Sequence, residues 1–262
     1  MTVSRGIMKR HLTALLALVV AFCACDGRKS SLPAATREHP LRVLFIGDSV
    51  TDGNWGGGGA KPSAERNQRD QNHIFGHGYM FLCAAHYMAY SPGCYEFVNR
   101  GISGHTLPDL EKRWKADCLL LEPDVVTILI GINDVDHYIR AGHNSAADFD
   151  FKEWEATYRR LIDKTLERHD RRAVILCTPF AVRNGGLREL MVDRLGGIVR
   201  DIAADYGFPC LDYQRMFDKC LNKRGANEKW YIWDGIHPTA GGHRLMADRW
   251  IEAFDQLTGN TE

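Results

Sequence analysis

The sequence predicts an α/β domain, a three-layer αβα sandwich built on a five-stranded parallel sheet. Short apolar runs recur along the chain, and helical patterns lie between them. The runs are apolar throughout rather than alternating, as expected of strands covered on both faces. Residues of reactive type gather just after strand ends, where open α/β sheets bind ligands.

The first strand is Leu41–Ile46, which breaks at Gly47 and delivers Asp48 and Ser49. Tyr95–Val98 is the second strand, and Asn99-Arg100-Gly101-Ile102-Ser103-Gly104 follows it. Cys83 precedes it in an apolar helical segment, and a helix over Leu107–Leu121 follows. Val125–Ile130 is the third strand and leads into Gly131-Ile132-Asn133-Asp134. A helix over Phe151–Arg168 precedes the fourth strand, Ala173–Cys177. A helix over Leu187–Asp205 precedes the fifth, Phe208–Leu211. A last helix, from about Ala240 to Gln256, carries Leu245, Met246, Trp250, Ile251 and Phe254 at helical spacing.

Four segments carry candidate chemistry. A serine hydroxyl is a weak nucleophile until an adjacent base takes its proton. Ser49 is the candidate nucleophile, His237 the base, and Asp234, three residues before it, the carboxylate that orients the ring. The oxyanion of a tetrahedral intermediate needs preorganised donors. Candidates are the backbone N–H of Ser49, the bare amide of Gly101 and the side-chain NH2 of Asn133. Singly, each piece also reads as an ordinary turn or cap; together and in this order they point to acyl transfer.

The segments around Ser49, Gly101, Asn133 and Asp234/His237 resemble the four blocks of the SGNH (GDSL) hydrolase superfamily, over about residues 41–257. The resemblance implies a flavodoxin-like sheet of order 2-1-3-4-5, with Ser49, Gly101 and Asn133 as oxyanion donors. Asn99–Asp109 with Trp114, Ile130–Val135, Thr178-Pro179-Phe180 and His237-Pro238 through His243 are similar to acetylxylan and xylo-oligosaccharide esterases of that superfamily. Those esterases tend to carry Trp-Arg after the Gly-Ile-Asn-Asp-Val segment, whereas this chain has Asp136-His137. That difference and the insert at residues 54–72 put the leaving-group side of the pocket outside what the resemblance implies. Asp48 and Trp233, beside the nucleophile and the carboxylate, are candidate substrate contacts. Trp230, Tyr231 and Trp233 read equally as a sugar-stacking surface or as core.

The N-terminus carries Arg5, Lys9 and Arg10, then an uncharged run from Leu12 to Ala24. That run is too short to span a bilayer and reads as a secretory signal. Ala24-Cys25 resembles a bacterial lipoprotein signal, with Cys25 lipidated and the protein anchored in the cell envelope. An ordinary cleaved signal is the alternative, and Met8 is an alternative start. The expected organisation is a signal over 1–25, a tether over 26–40 and one hydrolase domain over 41–258.

Lysine plus arginine and aspartate plus glutamate both number 33, so no net field draws nucleic acid. The histidines show no compact metal-ligand spacing, no Cys-x-x-Cys pair exists, and no essential disulfide is expected. Gly56–Gly59 is not followed by the Gly-Lys-Ser/Thr of a phosphate loop. The expectation is an exported serine esterase that deacetylates carbohydrate, such as acetylated xylan, without a cofactor; a homo-oligomer is left open. A lipid-directed esterase, thioesterase or lysophospholipase is the alternative within the same chemistry. An inactive carbohydrate-binding lipoprotein is the alternative outside it.

Overall fold

Each strand of the sheet supplies side chains to two separate cores, and this double burial explains its apolar sequence. The computed structural model describes residues 32–53, 75–167 and 173–259. The signal segment with Cys25, the first part of the tether and the insert at 54–72 lie outside the described residues. The strands are β1 (Leu41–Gly47), β2 (Tyr95–Gly101), β3 (Val125–Leu129), β4 (Ala173–Cys177) and β5 (Cys210–Leu211). All pair in parallel, in the order β2-β1-β3-β4-β5. This is the predicted α/β sandwich and the order that the family resemblance implied.

Alternate strand residues face opposite layers. Leu44, Ile46, Val126, Ile128, Val174 and Leu176 pack on one side, under α3 (Leu107–Asp117), α5 (Phe151–Leu166) and α6 (Leu187–Tyr206). Val43, Phe45, Val125, Leu129, Ile175 and Cys177 pack on the other, under α2 (Tyr79–Tyr90), α7 (Tyr213–Leu221) and α8 (Ala240–Thr258). The apolar stripe of α8 sets Trp250 against Phe45, with ring centres 4.8 Å apart, while its indole N–H donates to Thr127 Oγ1 at 2.9 Å. Two further helices begin at strand ends: α1 (Ser49–Asp52) and α4 (Ile132–Arg140).

Several boundaries differ from the sequence expectation for physical reasons. The helix expected through Leu121 ends at Asp117, and Leu119–Leu121 forms a separate 3-10 turn. β5 is two residues rather than four, because Phe208 N–H is taken by Ala203 O at the end of α6 and Pro209 has no N–H to give the ladder. The described part of the expected tether is docked: Leu32 packs against the α8 layer, and Arg37 Nε donates to Pro92 O at 3.1 Å. Six cysteines, Cys83, Cys94, Cys118, Cys177, Cys210 and Cys220, are free thiols. No helix of the described residues is long and apolar enough to cross a membrane.

A histidine holds α2 in place. The N-cap of α2 is Gly78, which has no side chain to cap it. His243 of α8 does so instead: its Nδ1 accepts from Tyr79 N at 3.1 Å. Burial, and then the charge of His237, lower the pKa of His243 to about 4. Protonation removes this acceptor, and the unfolded chain takes the proton near 6.5. The stabilisation is therefore complete above pH 6.5 and lost as pH falls from there towards 4. Urea denaturation of the wild type should show stability declining across that window. His243→Gln, which keeps an acceptor but cannot titrate, should show a shallower decline; identical pH slopes would remove His243 from the account.

Candidate active site

The site is assembled where β1, β2 and β3 end. Gly47 closes β1, and a Cβ there would lie 2.1 Å from Leu129 O, so only glycine lets the two strand ends approach. Asp48 then N-caps α1: its Oδ1 accepts from Val50 N at 3.0 Å. Ser49 is the first residue of this four-residue helix. Its backbone N–H has no partner among the described residues, as expected of a first-turn donor.

His237 and Asp234 come from the hairpin that precedes α8. The backbone pairs Trp233 N with His237 O at 3.0 Å and Thr239 N with Tyr231 O at 2.8 Å. Thr239 caps α8 through Gly242 N, which fixes the end of the hairpin. Asp234 organises the turn: Oδ1 accepts from Ile236 N at 3.1 Å and His237 N at 2.8 Å. Its Oδ2 meets His237 Nδ1 at 2.6 Å, and His237 Nε2 lies 2.9 Å from Ser49 Oγ. Burial pushes the Asp234 pKa up, but the hydrogen bonds from His237 N, the His237 ring and Ile236 N outweigh it. The carboxyl therefore sits below its ordinary range and is anionic at neutral pH.

Asn133 stands in the first turn of α4, which begins after Gly131 at φ 129°. One of its two amide hydrogens goes to His105 O at 3.1 Å. The other has no partner among the described residues and is free for a ligand oxygen.

Two sequence expectations are corrected. Gly101 does not offer its amide to a ligand: that N–H donates to Asn99 Oδ1 at 2.8 Å inside the protein. The glycine is required instead by packing, since a Cβ there would lie 2.1 Å from Asp52 N. The available amide is at Gly104, three residues on, in the loop that carries His105. Gly104 is exposed, has φ +83°, and its N–H has no partner among the described residues. The signal that was missed is the second glycine of Gly-Ile-Ser-Gly, which a left-handed turn needs. Asp48 is the second correction. It is 1% exposed and spent on capping α1, so it has no surface to offer a substrate; burial raises its pKa to about 7. Trp233, by contrast, is 57% exposed and stacks on the His237 ring with centres 6.1 Å apart.

A hydroxyl, an imidazole and a carboxylate in file, with unpaired N–H donors beside them, define the class as a serine hydrolase. The chain belongs to the GDSL-like lipase/acylhydrolase family, whose model matches residues 45–245, and it is a carboxylic ester hydrolase. It is 33% identical to an acetylxylan esterase of Geobacillus stearothermophilus, over 79% of this chain and 90% of that protein. A crystal structure of that esterase superposes with a TM-score of 0.70 at 28% identity, covering 87% of this chain and 96% of that one. A putative GDSL-like lipase from Parabacteroides merdae superposes with a TM-score of 0.70 at 29% identity, over 89% of this chain and all of that one.

The two glycines are separable by mutation. Gly101→Ala should overpack the contact with α1, costing about 1–3 kcal/mol or more, and lower Tm by several degrees. Gly104→Ala has room for its methyl and pays only the left-handed penalty of about 1–2 kcal/mol. A Gly101→Ala protein that melts like the wild type would contradict the packing described.

Proposed function

We propose that this enzyme removes O-acetyl groups from acetylated xylan oligosaccharides through an acyl-enzyme on Ser49. The observation that carries the reading is the Ser49–His237–Asp234 file opening beside the exposed, stacked face of Trp233. Similarity to an acetylxylan esterase over most of both chains supports it. His237 takes the Ser49 proton as Oγ attacks the acetyl carbonyl, and Asp234 stabilises the imidazolium. The oxyanion is held by Ser49 N–H, the spare Asn133 N–H and Gly104 N–H. His237 then passes the proton to the departing sugar hydroxyl, and water repeats the cycle on the acetyl-serine. Trp233 offers a flat apolar face to the sugar ring.

A second reading, a lipid-directed esterase, is favoured by one feature. A cleft of 340 Å³ lies between α3, α4 and α5, lined by Leu107, Pro108, Tyr138, Phe149 and Trp154. It begins at Thr106, next to the His105 carbonyl that binds Asn133, and an acyl chain would find apolar walls there. The two readings differ in sign. An acetyl-sized pocket rejects added methylenes, whereas each methylene that enters a cleft gains about 0.8 kcal/mol. Activity on nitrophenyl esters should fall from acetyl to octanoyl, and acetylated xylo-oligosaccharides should release acetate. A rising slope with no acetate released would establish the lipid reading instead.

The file itself is tested by substitution. Ser49→Ala and His237→Ala should each lose nearly all activity, because the two act as a unit. Asp234→Ala should lose somewhat less. Asn133→Ala should lower kcat by about 10²–10³. Ser49→Ala retaining more than a few per cent of esterase activity would remove the serine from its role.

The place of action is proposed from the leader: an exported envelope protein anchored through a lipid on Cys25. One acyl chain binds membranes only marginally, so stable anchoring calls for several on that residue. Cys25→Ser should release the protein from the membrane fraction or block its processing. An unmodified N-terminus beyond residue 25, by intact mass, would favour plain secretion.

A further inference from the structure

The catalytic turn shares a wall with a second, polar cavity that the chemistry at Ser49 does not use. The cavity has a volume of 310 Å³, at the small end of the ~300–1,000 Å³ typical of ligand sites. It lies between the loop after β4 and the end of α7. Two wall residues join it to the turn, and Lys229, next to Glu228 in the chain, adds a further link. Val182, in its wall, donates its N–H to Gly235 O at 2.8 Å. Glu228, also in its wall, accepts at its carbonyl from Tyr231 N and Ile232 N. Lys229 Nζ donates to Trp233 O at 2.8 Å.

The wall is rigid where Arg183 lies and open to solvent where Asn222 lies. Arg183 is clamped by Asp218 at 2.8 and 2.9 Å, by Asp193 at 2.8 and 3.0 Å and by Glu189 at 3.1 Å. One turn beyond Asp218, at the end of α7, the exposed side-chain amide of Asn222 has no protein partner among the described residues. Trp230, two residues after Glu228, is 58% exposed, although an indole that size is ordinarily covered. The Asn222 amide and the Glu228 carboxylate match the donors and acceptors of vicinal hydroxyls, and an exposed indole matches the C–H face of a sugar ring. Arg183, whose five N–H groups are all spent on Asp193, Asp218 and Glu189, serves only as rigid wall.

We propose that this cleft, walled by Arg183, Asp218, Asn222 and Glu228 and flanked by Trp230, is a sugar subsite that holds the unreacted part of an oligosaccharide while Ser49 acts on one acetyl group. The inference rests on the acetylxylan reading for its substrate class and adds to it a preference for chains over single sugars. The clamped Arg183 presents a preorganised wall, so binding there costs little ordering.

The test compares Asn222→Ala and Trp230→Ala with the wild type; both residues are exposed and lie outside the catalytic file. For acetylated xylotetraose, KM should rise about fivefold in each variant, the loss expected of one stacking or hydrogen-bonding contact. kcat, and both constants for p-nitrophenyl acetate, should stay within about twofold under the same expectation. Wild-type KM should fall from acetylated xylobiose to xylotetraose, and the variants should flatten that fall. An unchanged length dependence overturns the subsite. So does an equal loss on p-nitrophenyl acetate, or a smaller assembly by light scattering, which would give the surface to a second copy of the chain. Unacetylated xylotetraose binding, followed by calorimetry, separates this from the parent reading. If the wild type cleaves p-nitrophenyl acetate but releases no acetate from any xylo-oligosaccharide, the acetylxylan reading falls. Xylotetraose binding that Trp230→Ala abolishes then still upholds the cleft, and its absence overturns it.

Discussion

The buried side chain of Asn99 is the constraint on which the nucleophile depends. Its amide donates to Thr51 O, Asp52 O and Phe75 O, and its carbonyl takes Gly101 N. Four residues make too short a helix to persist by itself, and its terminal carbonyls have no helical partners. Asn99 provides those partners from β2, and the segment returning through Phe75 is tied to the same group. Ser49 therefore owes its position to a neighbouring strand as much as to the helix it begins. Any change at Asn99 leaves several buried polar groups unpaired at once, a cost well above that of one surface hydrogen bond.

Around this knot the carboxyl end of the sheet is polar at depth. Arg113 donates to Gly47 O, Arg100 O and Asp117, and its Nε to His105 Nδ1, which sets the loop carrying Gly104. Asp134 is buried between Leu107 N and Trp154 Nε1, and desolvation raises its pKa to about 7. It joins the start of α3, the start of α4 and the first turn of α5. Such groups cost desolvation unless fully bonded, and here their bonds are spent on placing loops around the reacting atoms.

Much of this was legible in the residues. Ala173–Cys177 agreed at both ends, and Leu41, Tyr95 and Val125 began their strands where apolar periodicity placed them. Ser49 and Asn133 were singled out by residue type and by position after strands, and Asp234 and His237 by their spacing in one turn. What the sequence concealed was polar burial. α4 is absent from the elements legible in the sequence, because Asp134 and Asp136 break its apolar pattern, yet both are buried: Asp134 as above, and Asp136 against Arg188 at 2.7 Å. The short α1 was equally hidden, since its stability comes from Asn99. The exchange of Gly101 for Gly104 has the same origin. Two glycines three apart look alike in a sequence, and only the carbonyl of Asn99 decides which amide is already engaged.

The hairpin from Trp233 to Thr239 has a mechanical consequence. Base and carboxylate sit on one turn that ends in the cap of α8, while the nucleophile belongs to a different strand end. A tilt of α8 therefore carries the imidazole and its anchor together as one cassette. The inner contact at 2.6 Å is preserved, and the gap to the hydroxyl alone opens or closes. Base and carboxylate are thus fixed to each other within one turn, and their distance from the serine depends on how that turn sits against the end of β1.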